Sequence, residues 1–206
     1  EEEVTMIEDY VALGGHLLVF SGPTDEDTDL TNLNSIIEAL GITVNEGIVI
    51  EGSRDYYAFA QPYILLPTIE SSDITTALID EKSNVIMPKI AGFSLETYDK
   101  EDGDIDGPFS LAVSIEGTDT DSKVVWIASD VMLDDGYNSY SSGANIDFVM
   151  NSISWMIGEE DSISIRSKSL DYNYLTISES AAKRIKIIMI GIIPALYLLY
   201  GLEEVI

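Results

Sequence analysis

The hydrophobic pattern of this chain predicts an α/β domain: a mostly parallel sheet with helices on both faces. Three observations lead there. Short apolar runs alternate with segments of helical spacing along most of the chain. The clearest run, Val124-Val125-Trp126-Ile127-Ala128, shows no polar alternation, as a strand buried on both faces requires. An apolar content of 46% over 206 residues is ample for one folded core.

The elements follow in order. Glu2–Leu13 places Val4, Ile7, Tyr10 and Val11 on one helix face, with acids in the first turn and Gly14-Gly15 as the stop. His16–Phe20 reads as a buried strand ended by Ser21-Gly22-Pro23. Asp29–Leu40 aligns Leu30, Leu33, Ile36, Ile37 and Leu40, and Gly41 follows as a helix terminator. Short strands are predicted at Ile42–Val44, Ile48–Ile50, Tyr63–Leu66 and Val85–Met87. Ser72–Ile79 reads as a short helix capped by Ser72 or Asp73. Phe109–Ile115 alternates and so predicts a strand with one polar face, and Lys123–Ala128 is the buried strand already noted. Asn145–Ile157 turns Ile146, Val149, Met150, Ile153 and Met156 inward and ends at Gly158.

The character changes after residue 160. Residues 161–182 are rich in Ser, Asp and Asn and read as an extended connector. Residues 183–206 open on the basic cluster Lys183-Arg184-Ile185-Lys186 and continue into Ile187–Leu202, which carries no charge. A bilayer core asks for about 20 apolar residues in a helix, and this run approaches that length. The expectation is a domain over 1–160, a connector, and a C-terminal hydrophobic or transmembrane segment. The chain starts at Glu1 rather than Met, so a preceding segment is expected to be missing.

Composition narrows the function classes. The formal net charge is −27, and residues 1–160 carry 5 Lys and Arg against 32 Asp and Glu. Nucleic acid is excluded as a partner, because binding it means neutralising phosphates with basic side chains. Divalent cations or basic partners are attracted instead. No cysteine is present, which removes thiol nucleophiles, thiolate metal sites and disulfides together. His16 is the single histidine and sits at the head of a buried strand, so a nucleophile–base–acid triad has little to draw on. Neither a G-x-x-x-x-G-K-[ST] nor a G-x-G-x-x-G loop occurs, so no nucleotide cofactor is expected.

Three stretches together resemble a known family. They are YVALGGHLLVFSGP (10–23), KVVWIASDVML (123–133) with the helix NIDFVMNSISWMIGEED (145–161), and ISIRSKSL (163–170) leading to the apolar end. In this order they resemble the GldG-like auxiliary components of ABC transporters. The resemblance implies a flavodoxin-like domain, related in fold to class I glutamine amidotransferases, held outside the cytoplasmic membrane by a C-terminal membrane helix. It implies ABC-transporter permease and ATPase subunits as partners and no catalysis. Taken alone, the basic cluster on the domain side would place the domain in the cytoplasm. The resemblance implies the opposite, and the cell membrane with an extracytoplasmic domain is the expected location.

Two clusters are candidate sites. Ligands of open α/β sheets bind beyond the carboxyl ends of the strands. Those ends carry Ser21 and Gly22 after the first strand and Asp130 after VVWIA, where a carboxylate could accept hydrogen bonds from sugar hydroxyls. Carbohydrate is therefore the alternative ligand, and Tyr56, Tyr57, Tyr137 and Tyr140 are the aromatics whose exposure would favour it. The second cluster is Asp102-Gly103-Asp104-Ile105-Asp106-Gly107, the first half of a D-x-D-x-D-G calcium loop. Position 12 of such a loop should be Glu and is Val113, so a solvated acidic loop is the stronger expectation.

Overall fold

The run Val124–Ile127 forms the middle of a three-stranded sheet and is buried along its whole length. The computed structural model describes residues 2–23, 29–45, 47–88, 106–158, 179–195 and 200. These fall into two units, Glu1–Tyr172 and Asn173–Ile206. In chain order the first unit contains α1 Glu2–Ala12, β1 Leu17–Phe20, α2 Thr31–Ala39, β2 Ile64–Leu65 and α3 Thr76–Asp80. It continues with β3 Met87–Pro88, β4 Ala112–Glu116, β5 Lys123–Ile127, α4 Asp135–Tyr140 and α5 Ala144–Ile157.

Strand order in the main sheet is β1-β5-β4. β1 runs parallel to β5 with Leu17 opposite Val124, whereas β4 runs antiparallel with Ala112 opposite Ile127. Residues alternate between the two faces, as the pleat demands. Leu17, Val19, Val113 and Trp126 point to one face and meet Ile36 and Ile37 of α2 and Val4 and Ile7 of α1. Leu18, Phe20, Ala112, Val125 and Ile127 point to the other and meet Leu78 of α3 and Phe148, Val149 and Met156 of α5. α5 ends at Gly158, whose φ of 75° is the left-handed conformation that terminates helices.

The fold-class expectation is corrected here. The sheet is small and mixed, not a mostly parallel, flavodoxin-like one. The cause is connection length. Residues 117–122 alone join β4 to β5, and a parallel crossover needs a dozen or more residues, so the two strands pair as a hairpin. The strands expected at Ile42–Val44 and Ile48–Ile50 do not form; Ile42 and Val44 pack against the α2 face without ladder bonds. α4 was not expected from the sequence.

β2 and β3 form a separate antiparallel pair, with Ile64 opposite Pro88 and Leu65 opposite Met87. Side chains, rather than ladder bonds, tie β3 to the main sheet. Asn145, in the first turn of α5, is fully buried at 0% exposure. Its Oδ1 accepts from Ile86 N–H at 2.8 Å, and its Nδ2 donates to Ile86 O at 2.9 Å and to Met132 O at 2.6 Å. Ser129, just past β5, donates its hydroxyl to Pro88 O at 2.7 Å. One amide thus joins α5, the β3 segment and the loop leaving β5.

The second unit contains α6, Glu179–Ile187, followed by one π-helical turn, Ile188–Ile192. Its first half carries Lys183, Arg184 and Lys186, and its second half exposes Ile188, Met189, Ile190 and Ile192. Among the described residues no helix is long and apolar enough to cross a membrane. The expected C-terminal membrane helix is therefore corrected. The basic cluster lies inside the helix, and residues 196–199 and 201–206 lie outside the described residues.

Replacing Asn145 by Ala should destabilise the domain by about 3 kcal/mol, because it strands a buried N–H and two buried carbonyls. Urea denaturation checks this; a loss below about 1 kcal/mol would show that the amide is not the tie described.

Candidate functional site

The segment 51–66, which contains β2, folds back on itself. Ala58 N–H donates to Ile64 O at 2.8 Å and Leu66 N–H to Tyr56 O at 2.7 Å, and Tyr57 pairs with Leu65. At the tip Gln61 N–H donates to Ala58 O at 2.9 Å, and the two residues between, Phe59 and Ala60, have φ of 56° and 57°. Two consecutive left-handed residues closed by that bond have the φ signs of a type I′ turn, which favours Asn-Gly. Phe-Ala occupies it at a cost of about 1–2 kcal/mol per residue. Strain of this kind persists where the surroundings over-determine it, and it concentrates at ligand sites.

The strained tip points Phe59 at α4. Its ring meets the Tyr140 ring edge-on, with centroids 4.5 Å apart and planes at 61°. Between hairpin and helix lies an open groove of about 590 Å³. Phe59, Gln61 and Ile64 line one wall. Asp134, Asp135, Tyr137 and Tyr140 line the other. No Lys or Arg is among the lining residues. Asp134 stands at the N-cap of α4, yet its side chain makes no cap hydrogen bond. Burial, and after it the neighbouring Tyr63 and Asp134, push the Tyr137 phenol above the usual tyrosine range. It stays a neutral donor at neutral pH.

The aromatics named from sequence divide. Tyr56 and Tyr140 are exposed at 49% and 48%, and Phe59, which the sequence reading passed over, matches them at 48%. Tyr57 and Tyr137 are half-buried. Tyr137 and Tyr140 follow β5 in the chain, on α4.

Of the residues singled out at the strand ends, Ser21 makes two internal bonds and Asp130 is exposed. Trp126 donates its indole N–H to Ser21 Oγ at 2.8 Å, and Ser21 N–H extends the β1–β5 ladder to Ile127 O at 2.8 Å. The Asp130 carboxylate lies against Gly22 so closely that a Cβ there would collide with it. Ser21, Gly22 and Asp130 are thus brought together, Ser21 against the indole and Asp130 against Gly22. His16 Nδ1 accepts from Lys123 N–H at 3.2 Å and ties the head of β1 to β5. Of the acidic loop, Asp106 is exposed, while Asp102 and Asp104 lie outside the described residues. Among the described residues no three carboxylates or histidines gather as a metal site would require.

No protein-family model and no curated protein matches the chain. Among solved structures it is similar to the mmIFT52 N-terminal domain, at 21% identity and a TM-score of 0.53, over 75% of this chain and 70% of that one. A likeness at that identity shows the fold alone: a mixed α/β domain with a small sheet. That neighbour is an intraflagellar transport protein domain, not an ABC-transporter component. With no helix long and apolar enough to cross a membrane among the described residues, the expectation of an anchor in the cell membrane with the domain extracytoplasmic is corrected.

Two outcomes follow. Ala60→Gly should stabilise the domain by about 1 kcal/mol, because glycine adopts a positive φ without cost; a destabilisation in urea would remove the strain argument. A phenolate absorbance titration should show one group ionising above the ordinary tyrosine range and missing in Tyr137→Phe. Because that phenol is harder to ionise folded than unfolded, its contribution to stability is complete below about pH 10 and is lost as pH rises further.

Proposed function

We propose that this chain is a non-enzymatic accessory module that works by binding. The observation that supports this most directly is how the candidate catalytic groups are used. His16 Nδ1 holds the β1–β5 ladder, and Ser21 Oγ accepts the Trp126 indole, so base and nucleophile are spent on separate structural bonds. The open groove beside α4 instead offers three aromatic rings, two carboxylates and an amide. Such a surface holds a ligand by contact area, π faces and charge. From the resemblance to GldG-like components the non-catalytic, accessory role is retained; a membrane anchor is no part of it.

Carbohydrate is the second reading, and the exposure of Tyr56 and Tyr140 favours it. Against it, Phe59 and Tyr140 meet edge-on and do not form one flat platform.

The purified protein should leave ester, amide and glycoside substrates unchanged. Turnover that disappears in His16→Gln or Ser21→Ala would replace this reading with an enzymatic one. Ser21→Ala should itself cost about 1 kcal/mol of stability, the worth of the indole bond it removes.

A further inference from the structure

We propose that the groove between the 51–66 hairpin and α4 docks a basic peptide segment of a protein partner. An arginine side chain lies between the Phe59 and Tyr140 rings and the Asp134 and Asp135 carboxylates. The inference rests on the binding reading above and gives it a partner class.

Charge carries it first. Asp134 and Asp135 are adjacent and exposed, and no basic side chain lines the groove to neutralise them. The chain around them has a net charge of −27. Two like charges near one another are relieved by a cation and gain nothing from a neutral sugar. Geometry carries it second. The Phe59 and Tyr140 rings meet edge-to-face at 4.5 Å, and both residues are about half exposed. A guanidinium is planar and weakly hydrated, so it stacks on an aromatic face while its N–H fork bridges to a carboxylate. Size carries it third. A groove of about 590 Å³ exceeds one side chain and suits a short stretch of peptide. The left-handed Phe59-Ala60 tip is the fourth observation, since the strain it stores holds Phe59 at the groove's edge.

The test uses the full chain and a fluorescein-labelled peptide, Gly-Arg-Gly-Arg-Gly, read by fluorescence anisotropy at moderate salt. A lysine-for-arginine peptide and a neutral β-linked glucose oligosaccharide are run beside it. Saturable binding of the arginine peptide is expected. The lysine peptide should bind several-fold more weakly, because an ammonium is a point charge without the planar fork. Asp134→Asn with Asp135→Asn should weaken binding about tenfold, and Phe59→Ala with Tyr140→Ala should do the same. Asp119→Asn with Asp121→Asn removes the same charge at the β4–β5 turn, at the opposite end of β5, and should leave binding within about twofold. Thermal unfolding of each variant establishes that it is folded.

Equal losses for the groove and β4–β5 turn variants would mean general attraction to an acidic surface and would overturn the inference. So would binding of the oligosaccharide alone with loss in Tyr140→Ala, although the domain would remain a binding module. Hydrolysis of any probe would overturn the binding reading itself.

Discussion

The buried Asn145 amide is the constraint on which the rest of the first unit depends. Among the described residues β3 has no ladder bond to the main sheet; Asn145 and Ser129, with Val85 and Met87 buried in the core, set its position. Asn145 takes both the N–H and the carbonyl of Ile86, which imitates a strand partner with a side chain. Its third bond, to Met132 O, fixes the loop that delivers α4. The β2–β3 pair carries the hairpin, and the Met132 loop carries α4, so one side chain positions both walls of the groove. A buried amide with all these bonds made is worth keeping, and one with any of them lost is costly.

The groove is a consequence of that arrangement. The hairpin tip spends backbone strain to hold Phe59 toward Tyr140, and α4 presents Asp134 with its carboxylate uncommitted to the helix cap. Meanwhile two of the polar groups at the strand ends make internal bonds, and a third, Asp130, is exposed. Ser21 holds an indole, His16 holds a ladder, and Asp130 leans on Gly22. The indole and ladder bonds at these ends stabilise the core, while Phe59, Tyr140, Asp134 and Asp135 of the groove are exposed.

The parts legible in the sequence were those with strong periodicity. α1, α2 and α5 show helical spacing of apolar residues, and β5 is a continuous apolar run; both patterns report burial directly. The sheet's sense was misread because periodicity does not encode pairing direction. The short 117–122 connection does, and it was the signal for a hairpin. α4 was missed because its sequence, DGYNSY, is built of turn-forming residues whose helix is set by context. Asn145 was expected as the first residue of the helix, and it lies in its first turn behind Gly143 and spends its side chain on the core. The strained tip was illegible for the opposite reason. Phe-Ala has no turn propensity, and tertiary contacts impose the conformation. The apolar run 187–202 looked long enough to span a bilayer, but among the described residues no helix is long and apolar enough to do so, and residues 196–199 and 201–202 of the run lie outside them.

Hydrogen exchange followed by NMR tests the central claim, that Asn145 couples the two walls. The comparison is between the wild-type chain and Asn145→Ala under conditions where both are folded. The amides to follow are Ile86, Leu66 in the hairpin and Asn138 in α4, which bond to Asn145 Oδ1, Tyr56 O and Asp134 O. The account predicts that all three lose protection together in the variant. Loss confined to Ile86, with the hairpin and α4 as protected as before, would contradict it.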